Sequence, residues 1–174
     1  FLGDLTDPIA AKTARGLAQW RPDVCLGELS LPGGEVTLGL PAMTVQEAVR
    51  AGAKTLVVGV ANAGGVLPES WIATLREALE GGLDVAAGLH RKLQDIPELA
   101  DGAERHGRRL LDVRYPDRAL PVGSGEPRRG RRLLTVGTDC SVGKMYTSLA
   151  ITEVMLERGL DATFRATGQT GILI

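Results

Sequence analysis

Apolar residues fall along this chain in short runs divided by glycine, proline and charge, and two spacings alternate. Thr55 to Val60 is nearly all apolar and rich in β-branched residues, as a parallel strand covered on both faces requires. Leu83 to Leu89 and Arg109 to Val113 repeat that pattern, Asp23 to Ser30 reads as an earlier strand, and Phe1-Leu2 reads as the tail of a first one. Between them the period is helical. Ile9, Ala10, Thr13, Ala14, Leu17 and Ala18 share one face behind Asp7-Pro8, which supplies an N-cap oxygen and a first-turn proline. Thr44 with Glu47 forms a capping box for a helix ending near Gly52. Pro68-Glu69-Ser70 opens a helix that stops at Gly81-Gly82, and Asp95 to His106 makes another. This alternation predicts an α/β fold, a doubly wound parallel sheet over residues 1–115.

Tyr115 to Arg132 breaks the rhythm. Pro116, Pro121 and Pro127 with Gly123, Gly125 and Gly130 predict a linker over 116–132. Its Arg128, Arg129, Arg131 and Arg132 are either a solvated connector or a lure for a ligand's phosphates. After it, Leu133 to Val136 reads as a buried strand, Gly137 and Gly143 bracket a loop, and Lys144 leads into a helix bearing Leu149, Ala150, Val154 and Met155. Residues 133–174 therefore read as the start of a P-loop domain. They are too few to complete one, and Ile172-Leu173-Ile174 is apolar, so the chain is expected to be part of a longer protein.

Bulk properties narrow the function classes. Lys plus Arg (20) nearly balance Asp plus Glu (21), which gives no reason to expect nucleic-acid or membrane binding. There is no apolar run of transmembrane length. Cys25, in an expected strand, and Cys140, in the loop, form no metal or disulfide spacing, so a cytoplasmic, reducing location is the simplest reading.

The chemistry centres on Gly137 to Met145. Loop amides and the start of a helix converge on one concavity, the helix dipole favours an anion there, and Lys144 adds a full charge. Two departures from G-x-x-x-x-G-K-[ST] matter: Thr138 stands where the first glycine belongs, with Gly137 one residue early, and Met145 replaces the hydroxyl that would hold magnesium. A thioether is a poor ligand for that cation. The plain alternative is a glycine-containing strand-to-helix turn with an incidental lysine. In the first half, the Gly59 to Gly65 turn, with Asn62 and Ser70 as neutral donors, is either an anion site or a turn that needs glycine for its dihedrals. Asp4, Asp7 and Lys12 lie where open α/β sheets bind ligands, the alternative being capping and solvation. No G-x-G-x-x-G is present, His90 and His106 stand isolated, and Trp20 and Trp71 read as packing residues.

Gly137-Thr138-Asp139-Cys140-Ser141-Val142-Gly143-Lys144 resembles the G-T-D-x-x-V-G-K loop of dethiobiotin synthetase, and Phe164 to Gly171 is similar to a strand and loop of that class ending in Gln-Thr-Gly, with Arg165 where a lysine stands there. A broader match takes in Gly3-Asp4, Asp7-Pro8, Ala11 to Ala14, Gly59 to Gly65, Pro68 to Trp71, the loop and Arg165-Ala166-Thr167-Gly168-Gln169-Thr170-Gly171. Together these resemble a bacterial family, known as a domain of unknown function, that joins a Rossmann-like N-terminal domain to a P-loop C-terminal domain and includes D-glutamate N-acetyltransferases.

The resemblance implies an enzyme that uses acetyl-CoA to N-acetylate an amino acid, D-glutamate first among the candidates, and a homo-oligomer is expected, with no nucleic-acid or membrane partner. Gly137, Thr138, Asp139, Cys140, Ser141, Val142, Gly143, Lys144 and Met145 would surround phosphate or CoA. Arg165, Thr167, Gln169, Thr170 and Asn62 would meet the substrate. Asp139 is the carboxylate best placed as base, the alternative being a residue beyond Ile174. Two other readings stay open: an ATP- and magnesium-dependent ligase or kinase, and a nucleotide-sensing module.

Overall fold

The computed structural model describes residues 1–61, 64, 67–116, 118–127, 129–139 and 142–174. Its centre is a parallel sheet of β1 (Thr55–Val58), β2 (Asp84–Ala87) and β3 (Leu110–Asp112), in that order. Two shorter stretches extend the ladder past β1. The Phe1 amine donates to Val57 O at 2.8 Å and Gly59 N to Phe1 O at 2.9 Å. On the far side Leu2 N donates to Leu29 O and Leu31 N to Gly3 O, each at 2.8 Å, around a parallel bridge from Gly3 to Ser30. The spatial order is therefore 28–31, 1–3, β1, β2, β3. The winding reverses between residues 1–3 and β1, which is where doubly wound sheets open a crevice.

Period-two alternation decides which face each strand residue serves. Leu56, Val85 and Leu110 lie side by side in the register, and with Val58 and Ala87 they join the buried core. Trp71, Leu75 and Leu79 of α3 (Glu69–Glu80) and Leu99 of α4 (Pro97–His106) complete that core. Val57, Ala86 and Leu111 form the row on the opposite face, where α1 (Lys12–Trp20) leaves an open apolar groove of about 610 Å³ also lined by Leu17, Met43 and Leu173. Cys25 lines this groove as well, and burial pushes its thiol up. At the amino ends of β2 and β3, Asp84 accepts from Arg109 N at 2.9 Å and from its guanidinium at 2.7 and 2.8 Å. The Arg109 amide, aided by the guanidinium, holds the Asp84 carboxyl below the usual carboxylate range.

Most expected elements form, with trimmed ends. The Thr44–Glu47 capping box is present and opens α2 (Val45–Arg50). Four expectations need correction. Asp7 does not cap α1: its carboxylate accepts from Ile9 N at 2.9 Å, and i→i+3 bonds carry the chain as tight turns from Asp7 to Lys12 before the helix begins. Asp23 to Ser30 is not a strand throughout, because Pro22–Val24 forms a 3₁₀ turn and only the end of the stretch pairs. Leu133 to Val136 is not a buried strand: Leu134 and Val136 are 78% and 80% exposed. A strand exists only within a ladder, and no described segment offers these residues one. The same holds for Phe164 to Ala166, and a helix that the pattern did not predict, α6 (Gln169–Leu173), follows them. The helix after Lys144 forms as expected, α5 (Lys144–Glu157). Among the described residues no helix is long and apolar enough to cross a membrane.

Candidate functional site

The loop from Gly137 to Lys144 closes on itself. A Cβ on Gly137 would lie 2.8 Å from Val142 Cγ2 and 3.2 Å from Lys144 Cδ, so any larger residue would push the lysine stem off the loop. Gly143 precedes α5 with φ 93°, a left-handed conformation that glycine adopts without strain. Among the described residues no side chain caps this helix, and no acidic residue stands in its first turn. The amides of that turn have no partner in their own helix, and they carry its positive end. Lys144 Nζ donates to Asp139 O, which holds the ammonium over the loop. Thr135 ties the incoming segment to the helix, donating to Lys144 O at 2.9 Å and lying 2.7 Å from Ser148 Oγ. Thr138 and Asp139 are exposed. Cys140 and Ser141 lie outside the described residues, as does Asn62.

Met145 faces a packing partner. Its sulfur lies 3.3 Å from the position of a Cβ on buried Gly171, which Ala166 Cβ at 3.0 Å and Phe164 Cζ at 3.3 Å also crowd. The first turn of α5 is thereby set against the Phe164–Gly171 segment, and the two halves of the expected site come together. Arg165 and Thr167 are exposed, and neither side chain has a hydrogen-bond partner among the described residues. Thr147, the other hydroxyl near the lysine, donates to Gly143 O at 3.1 Å.

The N-terminal unit grips this segment directly. Thr13, buried in α1, shares a 2.8 Å hydroxyl contact with Thr170. Arg114, just past β3, donates to Gln169 Oε1 at 3.0 Å and to Gly88 O, past β2, at 3.3 Å. Gly88 is obligatory at this point: a Cβ there would meet Gln169 Cβ at 2.4 Å. Tyr146 donates to Lys12 O at 3.1 Å and stacks on Trp20 at 6.5 Å between ring centroids, and burial pushes its phenol up. The Trp20 indole nitrogen is buried there without a hydrogen-bond partner among the described residues. So the carboxyl ends of β2 and β3 and the start of α1 hold the Gln-Thr-Gly segment.

Several other candidates make contacts within the fold. Asp4 accepts from Trp71 Nε1 at 2.8 Å, and the amides of Gly59 and Ala61 are engaged by Phe1 O and Ala10 O. Tyr115 donates to the carbonyl of His90, and His106 stands in the last turn of α4. Arg132 folds onto the carbonyls of Arg129 and Gly130 at 3.1 and 3.4 Å. Sequence reasoning passed over Thr13, Gly88 and Arg114. The signal was their place, since Gly88 directly follows β2 and Arg114 stands two residues past β3, at the sheet's carboxyl end, where doubly wound sheets bind ligands.

Comparison with known proteins agrees with this two-part build. A family model described as "Domain of unknown function (DUF1611_N) Rossmann-like domain" matches residues 31–116, and one described as "Domain of unknown function (DUF1611_C) P-loop domain" matches residues 121–174. A protein of Tritonibacter scottomollicae named D-glutamate N-acetyltransferase is 58% identical over all of this chain and 52% of its own length. One of the same name from a Pseudoalteromonas species is 51% identical with the same coverage. The crystal structure of a DUF1611 family protein from Anabaena variabilis superimposes with a TM-score of 0.79 at 32% identity, over 99% of this chain and 52% of the other. The chain thus spans about half the length of the relatives it matches.

Proposed function

The chain belongs to the DUF1611 family, and on that premise we propose that the whole protein transfers an acetyl group from acetyl-CoA to the amine of D-glutamate. The observation that carries this reading is the 58% identity, over every residue of this chain, to a relative named for that reaction. The P-loop and the Arg165–Gly171 segment both lie inside the matched region.

The site's own chemistry fits such a ligand pair. A cradle that a Cβ on Gly137 would fill, with first-turn amides and Lys144 around it, suits the phosphates of CoA as well as those of a nucleotide. Bound acetyl-CoA supplies the acetyl group as a thioester. Lys144 and the loop amides anchor it by its phosphates and take no part in bond making. Arg165 is suited to a carboxylate, because its guanidinium is planar, permanently charged and exposed. The attacking nitrogen must lose its ammonium proton, and Asp139 is the carboxylate the loop offers as base. Met145 disfavours the ATP-dependent alternative: a thioether stands where a magnesium-holding hydroxyl belongs, and its sulfur is packed against Gly171.

The test uses the whole protein. Thiol release from acetyl-CoA should depend on D-glutamate and be equal in excess EDTA and in millimolar magnesium. Lys144→Ala should weaken acetyl-CoA binding about ten- to a hundredfold, the worth of one charge-assisted contact. Activity that is lost in EDTA, with phosphate released from ATP only when substrate is added, would replace acetyl transfer with a ligase or kinase.

A further inference from the structure

We propose that Arg114 is a positioning residue: it turns the Gln169 side chain so that the amide N–H₂ group, and not the oxygen, meets an acceptor oxygen of a bound anion. The chemistry of the pair fixes the orientation. A guanidinium only donates, so the Gln169 atom 3.0 Å from Arg114 must be the carbonyl oxygen. The amide cannot be reversed without setting N–H against N–H. Gln169 Nε2 has no partner among the described residues and is not sealed away as a buried orphan.

Three further contacts make this a built arrangement. Arg114 is itself held by Gly88 O at 3.3 Å, so its fork is aimed from two sides. Gly88 lets the Gln169 stem come closer than any side chain would allow. The next residue, Thr170, is pinned to buried Thr13 at 2.8 Å. Gln169 and Thr170, the first two residues of α6, are thus oriented by the N-terminal unit, while Arg165 and Thr167 are exposed, with no side-chain hydrogen-bond partner among the described residues. A loop that presents guanidinium, hydroxyl and amide donors selects an oxygen anion, either a carboxylate or a phosphate. The N-terminal sheet then contributes to the site by aiming a donor.

This inference rests on the reading of the Arg165–Gly171 loop as ligand-binding, so its test is arranged to fail separately from the acetyl-transfer assignment. In the whole protein Gln169→Glu keeps an oxygen toward Arg114 and gains an ion pair, but it removes the N–H₂ donor. The melting temperature should hold or rise, while KM for the anionic ligand rises about tenfold or more and kcat changes less. Arg114→Ala should raise the same KM several-fold, and Arg114→Lys should restore part of the loss. Calorimetry with D-glutamate, acetyl-CoA and ATP separates a carboxylate from a phosphate source: the probe weakened by Gln169→Glu is the one that meets the amide. If the wild type transfers no acetyl group, the assigned reaction falls and the titrations still decide the role of Gln169. Unchanged affinity of Gln169→Glu for all three probes, or no binding of any of them by wild type, overturns the proposal.

Discussion

Thr55-Leu56-Val57-Val58 and Leu133-Leu134-Thr135-Val136 are four-residue, strand-like runs that each end at a glycine. Val58 is fully buried, whereas Val136 is 80% exposed. The first run has a ladder on both sides, from residues 1–3 and from β2, and a helical layer over one face. Among the described residues, the second is tied through Thr135 alone, to Lys144 and Ser148 of α5. The same residue pattern therefore codes for a strand only where neighbours of the right geometry exist, because the backbone needs a ladder and the side chains need a covering layer.

Substitutions can break or sharpen that contrast, beginning with the largest effect. Trp71→Ala empties a fully buried site, breaks the bond to Asp4 and removes the edge contact with Phe1 at 5.3 Å. It should cost about 3–5 kcal/mol in chemical denaturation. A loss below 1 kcal/mol would mean that the first region is no better packed than the second.

Next comes Asp84→Asn, which keeps the shape but gives up the charge facing Arg109, and should cost about 1–2 kcal/mol near neutral pH. The pH dependence has a definite sign. The folded carboxyl lies below its ordinary value, so its contribution is complete above an unfolded value of about 3.9 and is lost as pH falls through the folded one. The gap between Asp84→Asn and wild type should close in acid; a gap that widens there would refute the assignment.

The smallest effect belongs to Leu134→Ala. With the side chain largely exposed, the melting temperature of the 174-residue chain should move by no more than about 0.5 kcal/mol allows. The same change costing several times more in a chain of the relatives' length would show that this run becomes a buried strand once it is paired.

How much of this was legible depended on whether the cause was local. The Thr44 capping box, the glycine stops and the helix behind Lys144 are set by neighbours within a few positions, and each could be read. The failed strand at 133–136 and the unpredicted α6 depend on partners distant in sequence. For the site, Lys144 and the Gln-Thr-Gly segment were visible as motifs, and their meeting through Met145 and Gly171 was not. Arg114 was invisible for another reason: a lone arginine after a strand has no pattern, and its partner is 55 residues away.

The stacked pair of Trp20 and Tyr146 has a spectroscopic consequence. The chain holds two tryptophans, one sealed in the first core with its N–H on Asp4, the other at the seam between α1 and α5 with its N–H unpaired among the described residues. Their indoles sit in different electrical surroundings, so their emission need not coincide. In a Trp71→Phe background all remaining indole light comes from the seam, and its colour and quenching read the separation of α5 from α1 while the sheet stays folded. The molecule carries its own optical gauge of how firmly α5 is docked on α1.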